Sequence, residues 1–490
     1  MKKWIGSTKR LAIITILFVT QILIGLLIFY DTLILLVVTL LPAIISSLYL
    51  RISLAKHKES MNESKSKSHT PFAFFGLMIM SQLSIPLILI FYYAQPFGWI
   101  IYTIITSSAF TLTSMMTIFF IPLILGQETI KGNAKTYSTL EPVSVIVPAY
   151  NEERHIGDTL NSLIEVDYQN KEVIVVDDGS TDKTYSIAYE FTRYFDKGRF
   201  SVIRKQNGGK SSALNFGIRF ARGDIIIIVD ADSIVERTTI KELVREFQDS
   251  SVVGVAGDCV VSNRINFLAN CQALEYLISM NVFRRAFGLL GFVLIIPGPI
   301  GAFRREAMLE RGLCDKDTLT EDFDVTLKLL KSGKKIVESP SKSYTTVPMT
   351  LEDLYRQKSR WTQGAVQTLL KHKDIMSNTK HGIIRIFLYP IKLLSLLVLP
   401  IFDLVLIGFT IQALQTDALF PLIWFALFIY FYSLLAIVAV IVQKQKDYRL
   451  LLYTPFMCFF YRQFIDFIII RSLVVILFHK FYKGSNNKQY

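Results

Sequence analysis

The pattern of apolar and polar residues divides the chain into three parts. Four long apolar runs precede the middle of the chain: 11–30, 32–50, 72–94 and 98–125. Each is close to or above the ~20 residues that a helix needs to cross a bilayer. More apolar runs lie between 386 and 478, whereas 126–385 has the ordinary charge density and the length of one large soluble domain. The pattern predicts about four N-terminal transmembrane helices in 1–125 and a second transmembrane region in 386–490.

Within the middle part, short runs rich in valine and isoleucine alternate with longer amphipathic stretches. The short runs are VSVIVPAY (143–150), EVIVVDDGS (172–180), FSVIRK (200–205), DIIIIVDADS (224–233) and VVGVAGDCVV (252–261). The stretches that predict helices are 152–166, 182–195, 210–222 and 236–248. Continuous apolar strands are typical of sheets buried on both faces, and their alternation with helices predicts a parallel sheet. We therefore expect an α/β, Rossmann-like fold whose ligands bind beyond the carboxyl ends of the strands.

Composition and charge indicate where in the cell the protein lies. The chain is 51% hydrophobic and only 19% charged, and its mean hydropathy is +0.40, as expected of a membrane protein. Lysine and arginine crowd the N-terminus and the 51–70 loop, which places both in the cytoplasm by the positive-inside rule. An even number of spans then puts 126–385 in the cytoplasm of a multi-pass cell-membrane protein. The net charge of +13 fits this topology and demands no nucleic acid.

Acidic residues end two of the predicted strands. Asp230 and Asp232 are separated by one residue, so two carboxylates could approach one hard cation, Mg²⁺ or Mn²⁺, clamped against a diphosphate. A turn that caps the next helix is the alternative, and it is preferred for an isolated Asp-x-Asp. Asp177 and Asp178 either form a turn with the following glycine or hydrogen-bond a base and a ribose.

The segment GGKSS, 208–212, resembles the end of a phosphate-binding P-loop. That pattern needs a glycine where the chain has Arg204, so the match fails at a position where a side chain would obstruct phosphate. An ordinary surface lysine on the first turn of a helix is the alternative for Lys210. The four cysteines form no CxxC pair and are expected to be reduced and structural.

Taken in order, six motifs resemble the processive inverting members of glycosyltransferase family 2. They are YNEE (150–153), VDDGS (176–180), the lysine loop GGKSSALN (208–215), DADS (230–233), TEDFDV (320–325) and QKSRW (357–361). The resemblance runs from about 143 to 373. It is nearest to the poly-N-acetylglucosamine synthases, beside the cellulose and hyaluronan synthases. The resemblance implies a cytosolic GT-A domain inserted between helical membrane bundles, with Mg²⁺ or Mn²⁺ as cofactor.

The resemblance also implies a role for each motif. The nucleotide sugar would be bound by Tyr150, Glu152, Asp177, Asp178, Lys210 and Asp230. Asp232, with Asp230, would hold the metal, and Asp322 would be the general base. The acceptor and the diphosphate would contact Gln357, Arg360, Trp361, Glu321, Phe303 and Arg304. Two local alternatives stay open: a helix N-cap at Thr320, and an interfacial anchor for QKSRW.

The expected function is polymerisation of a UDP-sugar, UDP-N-acetylglucosamine above others, into a β-linked polysaccharide that is passed across the membrane. The expected partners are the donor, the growing polysaccharide, the lipid bilayer and a small accessory membrane subunit. One alternative is transfer of a single sugar to a membrane lipid, polyprenyl phosphate or diacylglycerol. Another is a transporter or receptor whose α/β domain only binds nucleotide. Charged residues in the C-terminal apolar region either line a channel or pair locally, as Arg462 with Asp466.

Overall fold

The computed structural model describes residues 141–195, 198–382, 384–401, 403–404, 407–408, 411, 419–443 and 447–486. The four predicted N-terminal spans lie outside these residues. The contacts discussed below all lie within one unit of the chain, which comprises 133–403 and 439–490.

Eight strands form one sheet. They are β1 (Val143–Ala149), β2 (Lys171–Asp177), β3 (Phe200–Arg204), β4 (Ile225–Ile228), β5 (Ile234–Val235), β6 (Val252–Val261), β7 (Gly301–Arg304) and β8 (Lys335–Thr345). Their order across the sheet is β3-β2-β1-β4-β7-β6-β8-β5.

Helices lie between the strands and after them. The first seven are α1 (Ile156–Glu165), α2 (Thr184–Glu190), α3 (Lys210–Phe220), α4 (Thr239–Glu246), α5 (Phe267–Ile278), α6 (Arg285–Leu289) and α7 (Arg305–Arg311). The rest are α8 (Glu321–Leu330), α9 (Leu351–Lys371), α10 (Asp374–Ser377), α11 (Tyr389–Leu397), α12 (Leu419–Val442), α13 (Thr454–Phe456) and α14 (Arg462–Asn486). In the described part of the chain, three π-helical segments, Ser279–Arg284, Ile384–Leu388 and Met457–Tyr461, precede α6, α11 and α14.

The first half of the sheet confirms the parallel α/β prediction. β1 pairs in parallel with β2 and β4, and β2 pairs in parallel with β3. Every residue of β1 and β4 is buried, which explains why these strands are continuous apolar runs instead of alternating patterns.

The second half of the sheet is mixed. β6 and β8 pair in parallel, but two strands that the pattern did not predict are antiparallel: β7 to β4 and β6, and β5 to β8. The chain leaves β6 at its carboxyl end and re-enters the sheet as the neighbouring β7 from the same edge, so β7 has to run in the opposite direction. The sheet is therefore mixed.

The C-terminal region was predicted to contain further spans. Among the residues that the structure describes, no helix combines the length and the apolar character needed to cross a membrane. The sequence left open a local pair of Arg462 with Asp466. In the structure the Arg462 guanidinium contacts the Asp403 carboxylate. All four cysteines are buried and free, as expected of structural residues: Cys259, Cys271, Cys314 and Cys458.

Candidate active site

The predicted polar residues gather at one edge of the sheet. Ala149 of β1 lies opposite Asp177 of β2, and Asp177 lies opposite Arg204 of β3. β4 runs parallel to β1, so Asp230 follows its carboxyl end at the same edge. This confirms the expectation that the acidic motifs converge where ligands of such sheets bind.

Asp177 and Asp178 bind the backbone and side chains of the lysine loop and of the end of β3. The buried Asp178 carboxylate accepts hydrogen bonds from the backbone N–H groups of Gly208 (3.1 Å) and Gly209 (2.7 Å), and it also contacts the Lys205 ammonium. The Asp177 carboxylate lies 3.1 Å from Nε of Arg204, the residue that rules out a P-loop. In this structure the pair fixes the loop that leads into α3, and their contact with a base and a ribose stays a prediction.

Lys210 joins two of the motifs. Its ammonium lies 2.6 Å from Oδ1 of Asp230 and 3.3 Å from Oε1 of Glu321. Although burial opposes the charged ammonium, the two carboxylates raise the pKa of Lys210 well above its usual range. The interpretation of Lys210 as an ordinary surface lysine is therefore wrong, because its charge holds the DADS and TED motifs together.

The second aspartate of DADS lies in a strongly negative environment. Burial, followed by the carboxylates of Asp230 and Glu152, raises the pKa of Asp232. A divalent cation would relieve this repulsion, so the donor set fits one. Within the described part of the chain, no group of three or more His, Cys, Asp or Glu side chains could hold a metal ion. A cation held by Asp230 and Asp232 would therefore need oxygen ligands from the substrate and from water.

Asp322 occupies the first turn of α8 and is partly buried. Its carboxylate accepts a hydrogen bond from the backbone N–H of Phe323 at 2.8 Å. Burial and the neighbouring Glu321 carboxylate raise the pKa of Asp322 to about 6, against the opposing effect of the Lys210 ammonium. A carboxylate whose pKa lies this close to neutral pH is suited to accept a proton as a general base.

Asp324, two residues further along the same helix, has a different environment. It is fully buried, and its carboxylate lies 2.8 Å from Nε2 of His372, 3.1 Å from the Lys371 ammonium and 3.3 Å from the Lys328 ammonium. Burial opposes its charge, but the His372 hydrogen bond and the lysines lower the pKa of Asp324 to about 2. Asp324 is therefore a permanently charged anchor.

The helix that carries QKSRW packs directly on the TED segment. A Cβ added to Gly364 of α9 would come within 2.5 Å of Cγ2 of Thr320, so only glycine permits this approach. Oε1 of Gln367 accepts a hydrogen bond from the N–H of Leu319 at 3.0 Å, and the hydroxyls of Thr320 and Thr368 lie 3.2 Å apart. Thr320 occupies the N-cap position, as the alternative interpretation predicted, but its side chain makes no capping hydrogen bond. Gly364 and Gln367 were missed, although a glycine within a predicted helix is a signal of close packing.

A cleft lies above Lys210 and Asp322. It is small, and the residues that line it are Lys210, Leu214, Ile228, Ile296, Pro297, Gly298, Phe303, Cys314, Glu321, Asp322 and Val325. A Cβ on Gly298 would lie 2.8 Å from the Lys210 ammonium and 3.1 Å from Oδ2 of Asp230. The segment around Pro297 therefore covers the ion pair closely, and sequence reasoning did not single it out.

The other predicted site residues differ in how close they come to this cleft. Tyr150 is 48% exposed just after β1, and Oε2 of Glu152 lies 3.0 Å from Nδ1 of His155. Phe303 lines the cleft, as predicted. Arg304 does not reach it: it lies opposite Ile225, the first residue of β4, at the far edge of the sheet.

Arg304 instead has structural contacts. Its guanidinium donates to the carbonyl oxygens of Val252 and Phe247 and lies 5.3 Å from the centroid of the Phe247 ring. The prediction that Arg304 contacts the acceptor is therefore wrong, because the antiparallel direction of β7 takes Arg304 to the opposite edge from Asp230.

Three residues of QKSRW were predicted to bind substrates: Gln357, Arg360 and Trp361. They lie on α9 and do not line the cleft. Arg360 is exposed, Trp361 is half-buried, and Oε1 of Gln357 is buried without a hydrogen-bond partner among the described residues. Gly364, further along the same helix, contacts Thr320, so the helix that carries these residues packs against the segment that carries Asp322.

Comparison with known proteins identifies the domain. Residues 144–312 match the sequence profile described as Glycosyl transferase family 2. The chain contains a glycosyltransferase family 2 domain. The match confirms the resemblance to glycosyltransferase family 2 over these residues, whereas the TEDFDV and QKSRW motifs lie beyond residue 312.

Two curated relatives are poly-beta-1,6-N-acetyl-D-glucosamine synthases. This chain is 33% identical to the protein of Staphylococcus aureus (strain COL) over 243 residues, which are 49% of this chain and 58% of the relative. It is 31% identical to the protein of Staphylococcus epidermidis over 247 residues, 50% of this chain and 59% of the relative. The similarity therefore spans less than two thirds of either relative.

A solved structure supports the fold. The mannosyltransferase PcManGT from Pyrobaculum calidifontis, in complex with GDP-Man and Mn²⁺, aligns with a TM-score of 0.50 and 23% identity. The alignment covers 77% of this chain and 99% of that one. The domain has the GT-A glycosyltransferase fold.

Proposed function

We propose that this protein is an inverting, processive glycosyltransferase that polymerises UDP-N-acetylglucosamine into a β-linked polysaccharide. The observation that carries the proposal is the Lys210 ammonium, which lies 2.6 Å from Asp230 and 3.3 Å from Glu321. It brings DADS, the proposed donor and metal motif, next to TED, the motif of the proposed base. The choice of donor rests on the similarity to the staphylococcal synthases.

In the proposed reaction, Asp322 accepts the proton of an acceptor hydroxyl. The hydroxyl oxygen attacks the anomeric carbon from the face opposite UDP, the bond from that carbon to the diphosphate breaks, and UDP leaves. Inversion of an α-linked donor then yields a β-linkage, and one carboxylate suffices because no covalent sugar intermediate forms. A divalent cation held by Asp230 and Asp232 would neutralise the leaving diphosphate, as the Mn²⁺ in the complex of the archaeal mannosyltransferase suggests.

The remaining residues would bind the two substrates. Tyr150, at the exposed end of β1, and Glu152 would contact the nucleotide. On α9, Trp361 would stack on an acceptor sugar and Arg360 would bind the diphosphate, with Gln357 orienting both. The packing of Gly364 on Thr320 supports this arrangement, since it fixes α9 against the turn that carries Asp322.

The membrane part of the proposal rests on the sequence. The apolar runs and the basic loops favour a multi-pass protein of the cell membrane, with its catalytic domain in the cytoplasm. A polymer made at the cytoplasmic face would then be passed across the bilayer, and a small accessory membrane subunit would be a further partner.

The test uses the full-length protein in lipid vesicles with Mg²⁺ or Mn²⁺. Labelled UDP-N-acetylglucosamine, UDP-glucose and UDP-glucuronic acid are supplied singly and in pairs, and the product is sized. We expect a polymer of high molecular weight from UDP-N-acetylglucosamine that Asp322→Asn does not make. Asp249→Asn, at an exposed ion pair with Lys335, is the matched control and should retain activity. A product that extracts with lipid as a single-sugar adduct would contradict the polymerase proposal.

A further inference from the structure

One residue inside QKSRW has no role in the proposed reaction. Lys358 lies between Gln357 and Arg360, yet its side chain is only 7% exposed. Its ammonium contacts both carboxylate oxygens of Glu275 on α5, at 2.8 Å and 2.9 Å. A buried ammonium has to be paired, because burying it alone is very unfavourable, and this pair uses both oxygens of the carboxylate.

The same ammonium also touches the proposed acceptor platform. Nζ of Lys358 lies 4.6 Å from the centroid of the Trp361 ring, within the range of a cation–π contact. The ammonium thus lies over one face of the indole of the half-buried Trp361.

We propose that Lys358 is a positioning residue: held by Glu275, it fixes the Trp361 ring so that the opposite ring face receives the acceptor sugar. This inference rests on the proposed function, because it concerns how the proposed acceptor-binding residue, Trp361, is held in place. It assigns to Lys358 an effect through Trp361 and no direct contact with the reacting atoms.

The C-terminal part of the chain contacts both Glu275 and α9. The Tyr461 hydroxyl donates to Oε2 of Glu275, and the Arg471 guanidinium lies 4.9 Å from the centroid of the Tyr355 ring on α9. The helix α9 is therefore contacted by α5 through the Lys358–Glu275 pair and by α14 through Arg471 and Tyr355. A change at Tyr461, far from Asp322 in sequence, should reach the reaction through Glu275 and Lys358.

The first test compares Lys358→Met, Lys358→Arg and the surface control Lys335→Met in the full-length protein in vesicles. Two quantities are measured: the affinity for UDP with Mn²⁺, and the dependence of the transfer rate on a short oligosaccharide of the transferred sugar. We expect Lys358→Met to raise the apparent KM for the oligosaccharide at least tenfold and to change the UDP affinity less than twofold. Lys358→Arg, which keeps the charge, should stay within about threefold of the wild type.

A double-mutant cycle separates positioning from a purely structural role. If Lys358 acts through Trp361, Lys358→Met should add less than twofold to the KM defect of Trp361→Ala. Glu275→Gln should reproduce part of the Lys358→Met defect, since it weakens the same contact. Multiplicative effects of Lys358→Met and Trp361→Ala would overturn the inference.

The remaining outcomes distinguish the inference from the proposed function. An oligosaccharide dependence in Lys358→Met equal to that of the wild type overturns the inference alone. An equal loss of UDP affinity and transfer in Lys358→Met does the same, because it indicates general misfolding instead of a displaced ring. A wild-type protein that binds no UDP and transfers no sugar overturns both.

Discussion

At the scale of single residues, two aspartates of one helix turn have opposite roles. The pKa of Asp322 is raised to about 6, whereas that of Asp324 is lowered to about 2. The residues are alike in type and differ only in what surrounds them: Asp322 is half-buried beside the Glu321 carboxylate, and Asp324 is fully buried beside His372 and two lysines. The TED motif identified Asp322 as the proposed base, but only the folded structure shows why Asp324 could not take that role.

The raised pKa of Asp322 predicts the pH dependence of the reaction. Asp322 has to be ionised to accept a proton, so kcat/KM should fall about tenfold per pH unit below pH about 6 and level off above it. Asp322→Asn should lower the rate by at least about a hundredfold above pH about 6, and the difference from the wild type should shrink at lower pH, where Asp322 itself is protonated. A pH–rate profile of vesicle-bound enzyme measures both effects.

Glu321→Gln tests the cause of that pKa. Removing the neighbouring negative charge should lower the pKa of Asp322, so the acid limb of the profile should move to lower pH. Glu306→Gln, at a glutamate of α7, is the matched control and should leave the limb in place. An unchanged limb in Glu321→Gln would show that burial alone raises this pKa.

The acidic pair of DADS predicts a requirement for a divalent cation. Asp232→Asn should raise the Mn²⁺ concentration needed for half-maximal activity, because it removes one of two proposed ligands. A chelator should abolish transfer, and added Mn²⁺ or Mg²⁺ should restore it. Activity that survives complete chelation would contradict the proposed metal site.

At the scale of elements, the contact between α8 and α9 is what joins two distant motifs. TED and QKSRW are separated by more than thirty residues, with β8 between them. Gly364 allows the two helices to touch at Thr320, and Gln367 satisfies the N–H of Leu319 just before the helix start. The position of the proposed acceptor platform relative to Asp322 therefore depends on a glycine.

Gly364→Ala should disturb this contact. The new Cβ would meet Thr320 at 2.5–2.9 Å, so α9 has to shift, at a cost of about 1–3 kcal/mol that the ~1 kcal/mol gain in helix propensity only partly offsets. Transfer should fall more than UDP binding. Gly157→Ala on α1 is the matched control, since its Cβ would meet only Ile187 at 3.9 Å, and it should be neutral or stabilising. Thermal unfolding and transfer rates of both variants provide the check.

At the scale of the whole molecule, a charged network anchors the helices behind the cleft. Asp324 of α8 lies within 3.3 Å of a basic nitrogen of Lys328, Lys371 and His372, and His372 follows the end of α9. Lys371 also binds Asp315 and Asp317, which precede α8 in the chain. The network thus ties the segment before α8 and the first turns of α8, where the proposed base lies, to the C-terminal end of α9.

Asp324→Asn should destabilise the domain. Removing the charge takes a buried carboxylate away from His372 and from two lysines, but Lys328 and Lys371 keep Asp315 as a partner, so the cost should be about 2 kcal/mol, as the lowered pKa of Asp324 indicates. Asp317→Asn is the matched control: Asp317 binds the same Lys371 at 2.7 Å but is 63% exposed, so its loss should cost less than about 1 kcal/mol. Denaturation midpoints of the two variants measure the difference.

The same residue predicts a dependence of stability on acid. The pKa of Asp324 is about 2 in the folded protein and about 3.8 when unfolded, so its stabilisation is complete above about pH 4 and is lost as the pH falls toward 2. The lost stability corresponds to about 2 kcal/mol. In Asp324→Asn this part of the acid dependence should disappear.

The sequence by itself determined β1, β2, β3, β4 and β6, the helices between them and the family of this domain. Runs such as IIIIV and the amphipathic stretches between them are local patterns, and hydrophobic burial acts on them in the same way in most α/β folds. The motifs from YNEE to QKSRW are likewise local, so they could be matched without coordinates. The apolar runs in 1–125 and 386–490 are also local patterns, and the membrane proposal rests on them.

Only the tertiary structure decided what depends on neighbours distant in sequence. The reversed direction of β7 follows from where the chain re-enters the sheet, and it removed Arg304 from the cleft. The ion pairs of Lys210, the pKa values of Asp322 and Asp324 and the contact of Lys358 with Trp361 each depend on elements that meet only in the folded chain. Electrostatic interactions and close packing act across space, and a linear pattern of residues does not record which surfaces will meet.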